Sequence, residues 1–433
     1  MTTAALATLI LIGGFFFLMF LRIPVTFSLL IATLLSAFVS GTNLSVMVNS
    51  MVLGANNVQL LAIPFFIIMG DIMAAGGMSD KIVALANMAV GRLRGGLAYV
   101  NVLDSMFFGG ISGSAVADVS SLGSIVVPMM KKQGYKPEFA VGLTVVTACQ
   151  GVLIPPSHNM VIYAISAGGI VTVGNMLIAG LLPGLLLGAS LIIMCALMAN
   201  HYHFPKGLAE NYKGRRLRII LNAVAPMMIF VIIMGGIAAG IFTATESSAI
   251  ACVYTFIITY FVFRSARLRE FSQVLKKSLK TLAIVMTLIA TAKAFAYMMT
   301  DLRIPEQITA TLLALTHNKI LLLLIINLML LVLGCFMDMA PLIMIMTPIL
   351  LPVVTSPEIG MNPVHFGVML IFNLAVGLCT PPVGSALYVG CAVGKTTLEA
   401  TSRAMLPMYA TMIVALMLVT FVPFISLWLP GLI

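Results

Sequence analysis

Two stretches, QGVLIPPSHNMVIYA at residues 150–164 and VGLCTPPVGSALYVG at residues 376–390, each place a Pro-Pro pair inside an apolar run. Proline has no backbone N–H, and its ring collides with the preceding turn of a helix. A helix that crosses a membrane cannot continue through either pair without interruption. The sequence therefore predicts two helices that are broken at membrane depth, one in each half of the chain.

The composition is typical of a membrane protein. Of 433 residues, 61% are hydrophobic and 8% are charged, with a mean hydropathy of +1.14, whereas soluble domains carry about 25% charged residues. We expect an all-α polytopic fold with about ten to twelve membrane-embedded elements, and the first apolar run is interpreted as a retained helix. The apolar runs long enough to cross a bilayer include 4–21, 23–41, 59–76, 175–199, 219–240, 243–263, 281–300, 319–336 and 404–430.

The net charge of +10 arises from Lys and Arg clusters between the apolar runs. Short loops rich in these residues stay cytoplasmic and can contact anionic lipid, so no nucleic-acid partner is expected. The uncharged stretch 43–57 and the turn near Gly240 then lie outside. The six Cys residues lack metal-binding spacing and are interpreted as apolar fillers without disulfides. The basic clusters lie at 92–94, 131–136, 213–218, 264–269 and 276–280.

An internal repeat surrounds the two Pro-Pro pairs, with residues 110–164 matching residues 334–390. Each pair follows a glycine at the same spacing, and another proline stands 18 residues before each pair. Further upstream the match continues at a slightly shorter offset. The matched positions include Gly151 and Gly377, Pro137 and Pro363, Pro128 and Pro352, and Ser114 and Asp338.

Each repeat is expected to contain a re-entrant helical hairpin followed by a broken transmembrane helix, because its first part is too interrupted for one straight helix. The first repeat is assigned hairpin 105–131 and broken helix 138–171, and the second hairpin 334–354 and broken helix 364–395. Scaffold helices are assigned to the rest of the chain, with residues 264–280 as an amphipathic interfacial helix. These scaffold segments are 1–104, 172–333 with cytoplasmic linkers 201–218 and 264–280, and a C-terminal helix 396–433.

Interrupted helices that recur in two halves of a membrane protein indicate a transporter's binding site. Non-helical backbone is tolerated at membrane depth only where protein buries it or where it lines a polar cavity. A break frees carbonyl oxygens, which suit Na⁺, and exposes half-helix N-termini, which favour an anionic substrate. One break in each repeat predicts two such sites around a pseudo-symmetric centre.

Polar residues close to the breaks are the candidate substrate contacts. Asn159 and Ser385 each follow a break and can donate hydrogen bonds. His158 either faces the substrate or caps the half-helix. Asp118 lies within the first hairpin, and an ionisable group at membrane depth is a functional candidate.

Three further ionisable residues fall within apolar runs. Asp338 is interpreted like Asp118, with added support from its place in the repeat. Lys293 is a weaker candidate partner for a substrate carboxylate, the alternative being that it snorkels or pairs with an acid. Glu246, in the segment TATESS, is interpreted as a scaffold packing residue.

Four segments together resemble the large membrane subunit of TRAP (tripartite ATP-independent periplasmic) transporters. They are IPPSHNMVIYA, CTPPVGSALYVG, FTATESSAIA at 242–251 and LGCFMDMAPLIMIMTPILLP at 333–352. The resemblance extends over essentially the whole chain. It implies Na⁺-driven uptake of an organic acid, such as a C4-dicarboxylate or a sialic acid, across the bacterial inner membrane. It also implies the elevator fold of the ion-transporter superfamily, a four-helix small membrane subunit and a periplasmic substrate-binding protein.

The resemblance also implies two sodium sites, in which main-chain carbonyls supply most ligands. One site would use Ser112, Ser114, Gly151, Ile154 and Pro156. The other would use Asp338, Gly377, Thr380 and Pro382. Because Ser114 matches Asp338 in the repeat, the two sites need not be chemically alike.

Two alternatives compete with this reading. Gly110-Ile-Ser112-Gly113 fits the GxSG pattern of rhomboid intramembrane serine proteases, with His158 as the base. Against a protease, the position matching Ser112 is Phe336, and the chain has more spans than that chemistry needs. The second alternative is a stand-alone carrier or antiporter of the same superfamily, which would need no partner subunit.

Overall fold

The computed structural model describes residues 3–201, 204, 216–316 and 318–432, and no β-strand occurs within these ranges. The prediction of an all-α polytopic membrane protein is confirmed. Most of the predicted linker 201–218 lies outside the described residues. Seven described helices are long and apolar enough to cross a membrane: Thr3–Phe20, Val58–Ala75, Val173–Asn200, Arg216–Ala238, Ala244–Val262, Leu268–Asp301 and Lys319–Phe336.

Shorter helices complete the scaffold. The predicted C-terminal helix 396–433 bends by 58° between Leu398–Ala404 and Leu406–Phe421. Pro407 stands in the first turn of the second piece, where the missing N–H costs nothing and where the preceding helix cannot continue. The remaining scaffold elements are Val25–Ser40, Leu44–Ala55, Met78–Val90, Ile304–Leu315, Phe424–Leu427 and the 3₁₀ turn Pro430–Leu432.

One scaffold helix, Leu268–Asp301, runs unbroken for 34 residues. The sequence predicted a separate interfacial helix at 264–280, but no Gly or Pro interrupts 268–301 and the two parts fuse. At 1.5 Å per residue the helix is about 51 Å long, well beyond the bilayer core. Asp71 anchors its first half, because its carboxylate pairs with Lys277 Nζ at 2.7 Å and accepts a hydrogen bond from Ser278 Oγ at 2.7 Å.

Two helical hairpins occur, as the repeat predicts. Hairpin 1 consists of Gly96–Ser112 and Ala115–Lys132, and hairpin 2 of Lys319–Phe336 and Met339–Val354. Both first arms begin earlier than the predicted hairpin segments, because the continuous apolar run at 319–336 reads from sequence as an independent span. Gly113, with φ of +63°, forms the tip of hairpin 1, a left-handed conformation that glycine adopts without strain.

Each hairpin is followed by a helix that is interrupted at the Pro-Pro pair. Residues 152–157, here named break 1, separate Pro137–Gly151 from His158–Ser166. Residues 379–384, named break 2, separate Pro363–Leu378 from Ser385–Gly394. Both Pro-Pro peptide bonds are cis.

The two repeats pack on each other. Tyr163, in the second half of the first broken helix, donates a hydrogen bond from its hydroxyl to the carbonyl of Pro363 at 2.6 Å. At the other end of the pair, Lys131 Nζ donates to the carbonyl of Gly394. The four hairpin arms and four half-helices therefore form one contiguous body.

The distribution of basic residues indicates that the hairpins enter from opposite sides of the membrane. Basic residues at 92–94 and 131–132 flank hairpin 1 and put its ends in the cytoplasm. The 276–280 cluster puts the start of Leu268–Asp301 there as well, and this helix then crosses once. Ile304–Leu315 has 12 residues and is too short to cross back. Lys319, the first residue of hairpin 2, therefore lies on the outer side.

Candidate functional site

Each hairpin tip contacts the break of its own repeat. In the first repeat, Asn159 Nδ2 donates to the carbonyl of Gly113 at 3.2 Å. A Cβ placed on Gly113 would lie 2.5 Å from His158 Nδ1, so only glycine fits at this tip. In the second repeat, the backbone N–H of Gly384 donates to the carbonyl of Cys335 at 3.3 Å. Tip and break are therefore joined at two corresponding places.

Next to each tip, a glycine of the hairpin packs against a glycine of the broken helix, and the two helices cross at this contact. Gly109 packs on Gly151, and a Cβ on Gly151 would lie 2.9 Å from the carbonyl oxygen of Ser105. Gly377 packs on Gly334, where a Cβ would lie 2.6 Å from the Gly334 carbonyl carbon. Because the neighbours are backbone atoms that cannot move aside, larger residues are excluded. Main chain thus approaches main chain at two of the predicted sodium ligands, Gly151 and Gly377.

The breaks leave carbonyl oxygens without hydrogen bonds. The last bonds before each break match, since Ile154 N donates to Gly151 O at 3.2 Å and Thr380 N to Gly377 O at 3.0 Å. In the described ranges, no donor reaches the carbonyl oxygens of residues 152–156. In break 2, Tyr409 Oη donates to Cys379 O at 2.7 Å, and no described donor reaches those of 380–383. Residues 152–156 of break 1 are buried, and buried backbone acceptors normally have a partner.

The side chains predicted to bind sodium lie at helix ends around the tips. Ser114 caps the second arm of hairpin 1, where its Oγ accepts from Ala117 N at 3.4 Å. Asp338 caps the second arm of hairpin 2, where its Oδ1 accepts from Met339 N at 3.0 Å. The two residues therefore occupy equivalent positions. The Ser112 side chain falls outside the described part of the structure.

The remaining predicted sodium ligands lie in the breaks. Ile154 and Pro156 are buried within break 1, whereas Pro382 is exposed in break 2. Thr380 Oγ1 donates back to the carbonyl of Val376 at 2.7 Å, which leaves its oxygen lone pairs open. Within the described ranges, no hydrogen bond joins a residue of break 1 to one of break 2.

The candidate substrate residues divide between the two breaks. His158 and Asn159 begin the half-helix after break 1, and Ser385 begins the half-helix after break 2. The Ser385 hydroxyl is buried and has no hydrogen-bond partner among the described residues. The same holds for Ser157, the residue before His158. Ser157 was not a candidate from sequence, although its position directly after the Pro-Pro pair could have identified it as a candidate substrate contact.

Asp118 lies at the glycine crossing of the first repeat. It is 1% exposed, and a Cβ on Gly109 would lie 2.6 Å from its Oδ2. The Asp118 carboxylate thus lies against the contact between Gly109 and Gly151. Asp118, a candidate substrate residue from sequence, therefore lies beside Gly151, one of the predicted sodium ligands.

A buried polar ladder links each hairpin to its broken helix and was missed from sequence. In the first repeat, Asn101 Nδ2 donates to Thr144 Oγ1 at 2.7 Å, and Thr147 Oγ1 donates to Asn101 Oδ1 at 3.2 Å. In the second, Asn373 Nδ2 donates to Asn327 Oδ1 at 2.9 Å. Asn101 and Asn327 each lie roughly two helical turns before the crossing glycine of their first arm, so the shared packing extends upstream of the predicted repeat start at residue 110.

Asp104 stands out within the first arm of hairpin 1. Its side chain is fully buried, and neither carboxylate oxygen has a hydrogen-bond partner among residues that the structure describes. A buried carboxylate needs a proton, a cation or a donor. Asp104 was not a candidate from sequence, because the predicted hairpin begins one residue later, at 105.

The other ionisable residues lie in the scaffold. Glu246 forms a capping box with Thr243, whose backbone N–H donates to Glu246 Oε2 at 2.8 Å. Glu246 thus caps the helix Ala244–Val262, in agreement with its structural interpretation. Lys293 lies on the long helix Leu268–Asp301 and lines a cavity whose lining includes no residue of break 1 or break 2.

Comparisons with known proteins identify the family. Residues 12–425 match the family model described as tripartite ATP-independent periplasmic transporter, DctM component. The C4-dicarboxylate TRAP transporter large permease protein DctM of Pseudomonas aeruginosa is 39% identical over 86% of this chain and 86% of its own. The sialic acid TRAP transporter large permease protein SiaM of Vibrio cholerae is 34% identical over 97% and 98% of the two chains.

The fold also has a relative among solved structures. The YdaH transporter of Alcanivorax borkumensis aligns with a TM-score of 0.62, covering 89% of this chain and 88% of its own at 13% identity; this likeness concerns the fold alone. The match over 12–425 to a transport family sets aside the protease alternative. The chain belongs to the TRAP transporter family as its DctM component, the large permease, and is a multi-pass protein of the inner membrane.

Proposed function

We propose that this chain carries an organic acid into the cell by coupling its movement to Na⁺, and that C4-dicarboxylates and sialic acids are the leading substrate classes. Relatives named for both classes support the choice of an organic acid. The family is tripartite, so a small membrane subunit and a periplasmic binding protein would be the partners. The observation that carries the proposal is the junction of each hairpin tip with a broken helix whose carbonyl oxygens lack donors.

Sodium fits the chemistry of these junctions. Na⁺ is a hard monovalent cation that carbonyl and hydroxyl oxygens coordinate in broken transporter helices. The first site would be formed by Ser114, Gly151, Ile154 and Pro156, with Ser112 and the neighbouring Asp118. The second would be formed by Asp338, Gly377, Thr380 and Pro382. The ion would neutralise these oxygens and hold tip and break together.

The acid would bind beside the ions, at the N-termini of the half-helices. His158–Ser166 and Ser385–Gly394 each direct unpaired backbone N–H groups and a positive helix dipole toward their break. The buried hydroxyls of Ser157 and Ser385 and the amide of Asn159 add donors that a carboxylate or hydroxyl group needs. Sodium at the breaks would strengthen anion binding by adding positive charge.

Movement of the acid would follow an elevator mechanism. The hairpins and broken helices are joined to each other by Tyr163, Lys131 and the glycine crossings, and so would move as one body. The scaffold helices, including the long helix Leu268–Asp301, would stay fixed. The small membrane subunit would extend that scaffold in the lipid.

Uptake into proteoliposomes tests the proposal. The permease is reconstituted with its small subunit, the binding protein is added outside, and labelled succinate and N-acetylneuraminate are offered with an inward Na⁺ gradient. We expect uptake of at least one acid, and its loss when K⁺ replaces Na⁺. Ser114→Ala and Asp338→Ala should each raise the Na⁺ concentration for half-maximal uptake about tenfold, because each removes an oxygen ligand.

Ser190→Ala is the matched control, because the Ser190 hydroxyl bonds only to the carbonyl of Leu186 on its own scaffold helix. Its Na⁺ dependence should equal that of the unchanged protein. Uptake that proceeds equally well without Na⁺ would refute the coupling. Full activity without the binding protein and the small subunit would favour a stand-alone carrier.

A further inference from the structure

A cavity of about 310 Å³ lies between the scaffold and the body formed by the hairpins and broken helices. Lys293 of Leu268–Asp301 lines one side of the cavity, and Met344 and Pro348 of hairpin 2 line the other. Its size is at the lower end of the range for small-molecule sites. A compact acid would fill it.

This cavity is on the outer side of the protein. Lys293 lies 13 residues beyond Lys280 of the cytoplasmic basic cluster, roughly 20 Å further along the helix axis. Two other lining segments also belong to the outer side. One is the loop at Gly168 and Gly169, which follows the half-helix His158–Ser166, and the other is the uncharged stretch that ends at Asn57.

The electrostatics of the cavity favour an anion. Lys293 is its one charged lining residue among those described, and no described carboxylate lies within ion-pair distance of the Lys293 ammonium. Asn57, Gln59 and Ser166 supply further polar groups. Lys293 is exposed and therefore accessible to a ligand. A carboxylate from the substrate would bind its ammonium through a charge-assisted hydrogen bond.

Gly54 makes room for the lysine. A Cβ on Gly54 would lie 2.6 Å from Lys293 Cβ and 2.9 Å from its Cγ. The stem of Lys293 therefore packs directly on the backbone of Leu44–Ala55. This contact holds the start of the Lys293 stem at the wall of the cavity.

We propose that the cavity is an outer access site, in which Lys293 binds a carboxylate of the organic acid before the acid reaches the breaks. The inference rests on the proposed function, because it assigns the acid a first binding position on its inward route. Lys293 contributes the charge, and Asn57 and Gln59 the neighbouring hydrogen bonds. Gly54 acts as a positioning residue.

Uptake kinetics at saturating Na⁺, with succinate and N-acetylneuraminate as probes, test the role of Lys293. Lys293→Met should raise the KM of the transported acid at least about tenfold, the loss expected for a charge-assisted hydrogen bond. The Na⁺ concentration for half-maximal uptake should stay unchanged, whereas a general structural defect would change it. Lys293→Arg should keep the KM within about threefold, because it preserves the cation. Lys280→Met, on the same helix but in the cytoplasmic cluster, is the control and should match the unchanged protein.

A second measurement covers the case in which Lys293→Met does not assemble. Lys293→Cys is treated with 2-aminoethyl methanethiosulfonate after reconstitution, and the unchanged protein is treated in parallel. The reagent restores a positive charge and should lower the KM again, and the transported acid should slow the reaction. An unchanged KM in Lys293→Met, or no effect of the acid on labelling, would overturn the inference. If the unchanged protein imports neither acid, it is the proposed function that fails.

Discussion

Break 1 and break 2 share their geometry but differ in access. All six residues of break 1 are buried, and its tip contact runs through the side chain of Asn159. In break 2, Pro382 is exposed and Val383 is 45% exposed, and the tip contact is backbone to backbone. The two repeats thus share the glycine-to-glycine crossing, while the surroundings of each break decide whether solvent or a partner reaches it.

The largest expected effect concerns this difference in access. In a background without native cysteines, Val383→Cys should react with a membrane-impermeant thiol reagent at least about 100-fold faster than Leu153→Cys, because a buried thiol reacts only through local opening. Detergent-solubilised protein gives both faces access to the reagent. Equal rates would show that break 1 is as open as break 2 and would remove the contrast.

The glycine crossings should behave alike in both repeats. Gly151→Ala and Gly377→Ala would each drive a methyl group into backbone atoms, at a cost of about 1–3 kcal/mol. We expect uptake to fall about tenfold or more in both variants, measured at equal reconstituted protein. Gly235→Ala is the control, because its nearest neighbour would be Val231 Cγ1 at 3.9 Å. Loss in only one variant would contradict the shared role.

The smallest expected effect concerns the polar ladders. Asn373→Ala removes hydrogen bonds to the carbonyl and the side chain of Asn327, both at 2.9 Å, and Thr147→Ala removes the equivalent contact with Asn101. Each change should destabilise its repeat by about 1–3 kcal/mol, read as a lower thermal unfolding midpoint in detergent. Thr411→Ala, whose exposed hydroxyl bonds to Pro407 O, should leave the midpoint unchanged. An unchanged unfolding midpoint in Asn373→Ala would show that the hydrogen bonds of its ladder do not contribute to stability.

Sequence predicts this fold best at positions where a residue type permits only one local conformation. The Pro-Pro pairs located both breaks because proline cannot continue a helix. The repeat matched Ser114 to Asp338, and both residues cap a hairpin arm, but the caps themselves were not predicted. The hairpin arms were misjudged, because apolar runs such as 319–336 look the same whether a helix crosses the membrane or returns within a hairpin.

The candidate site was harder to predict where it depends on contacts between distant segments. Asn101 and Thr147 are ordinary polar residues in sequence, and only the packing of hairpin on broken helix brings them together. Asp104 is equally inconspicuous until its burial is known. Lys293 was identified as a charge in an apolar run, but its place in a cavity with Ser166 and Met344 required the fold.

Tyr409 belongs to neither repeat, yet its hydroxyl donates a hydrogen bond to the carbonyl of Cys379 inside break 2. Of the oxygens that the second interruption releases, one is therefore already taken by the C-terminal segment. The two copies consequently offer different numbers of vacant lone pairs. Under the proposed function, the helix Leu406–Phe421 would therefore make the two ion sites unequal in affinity.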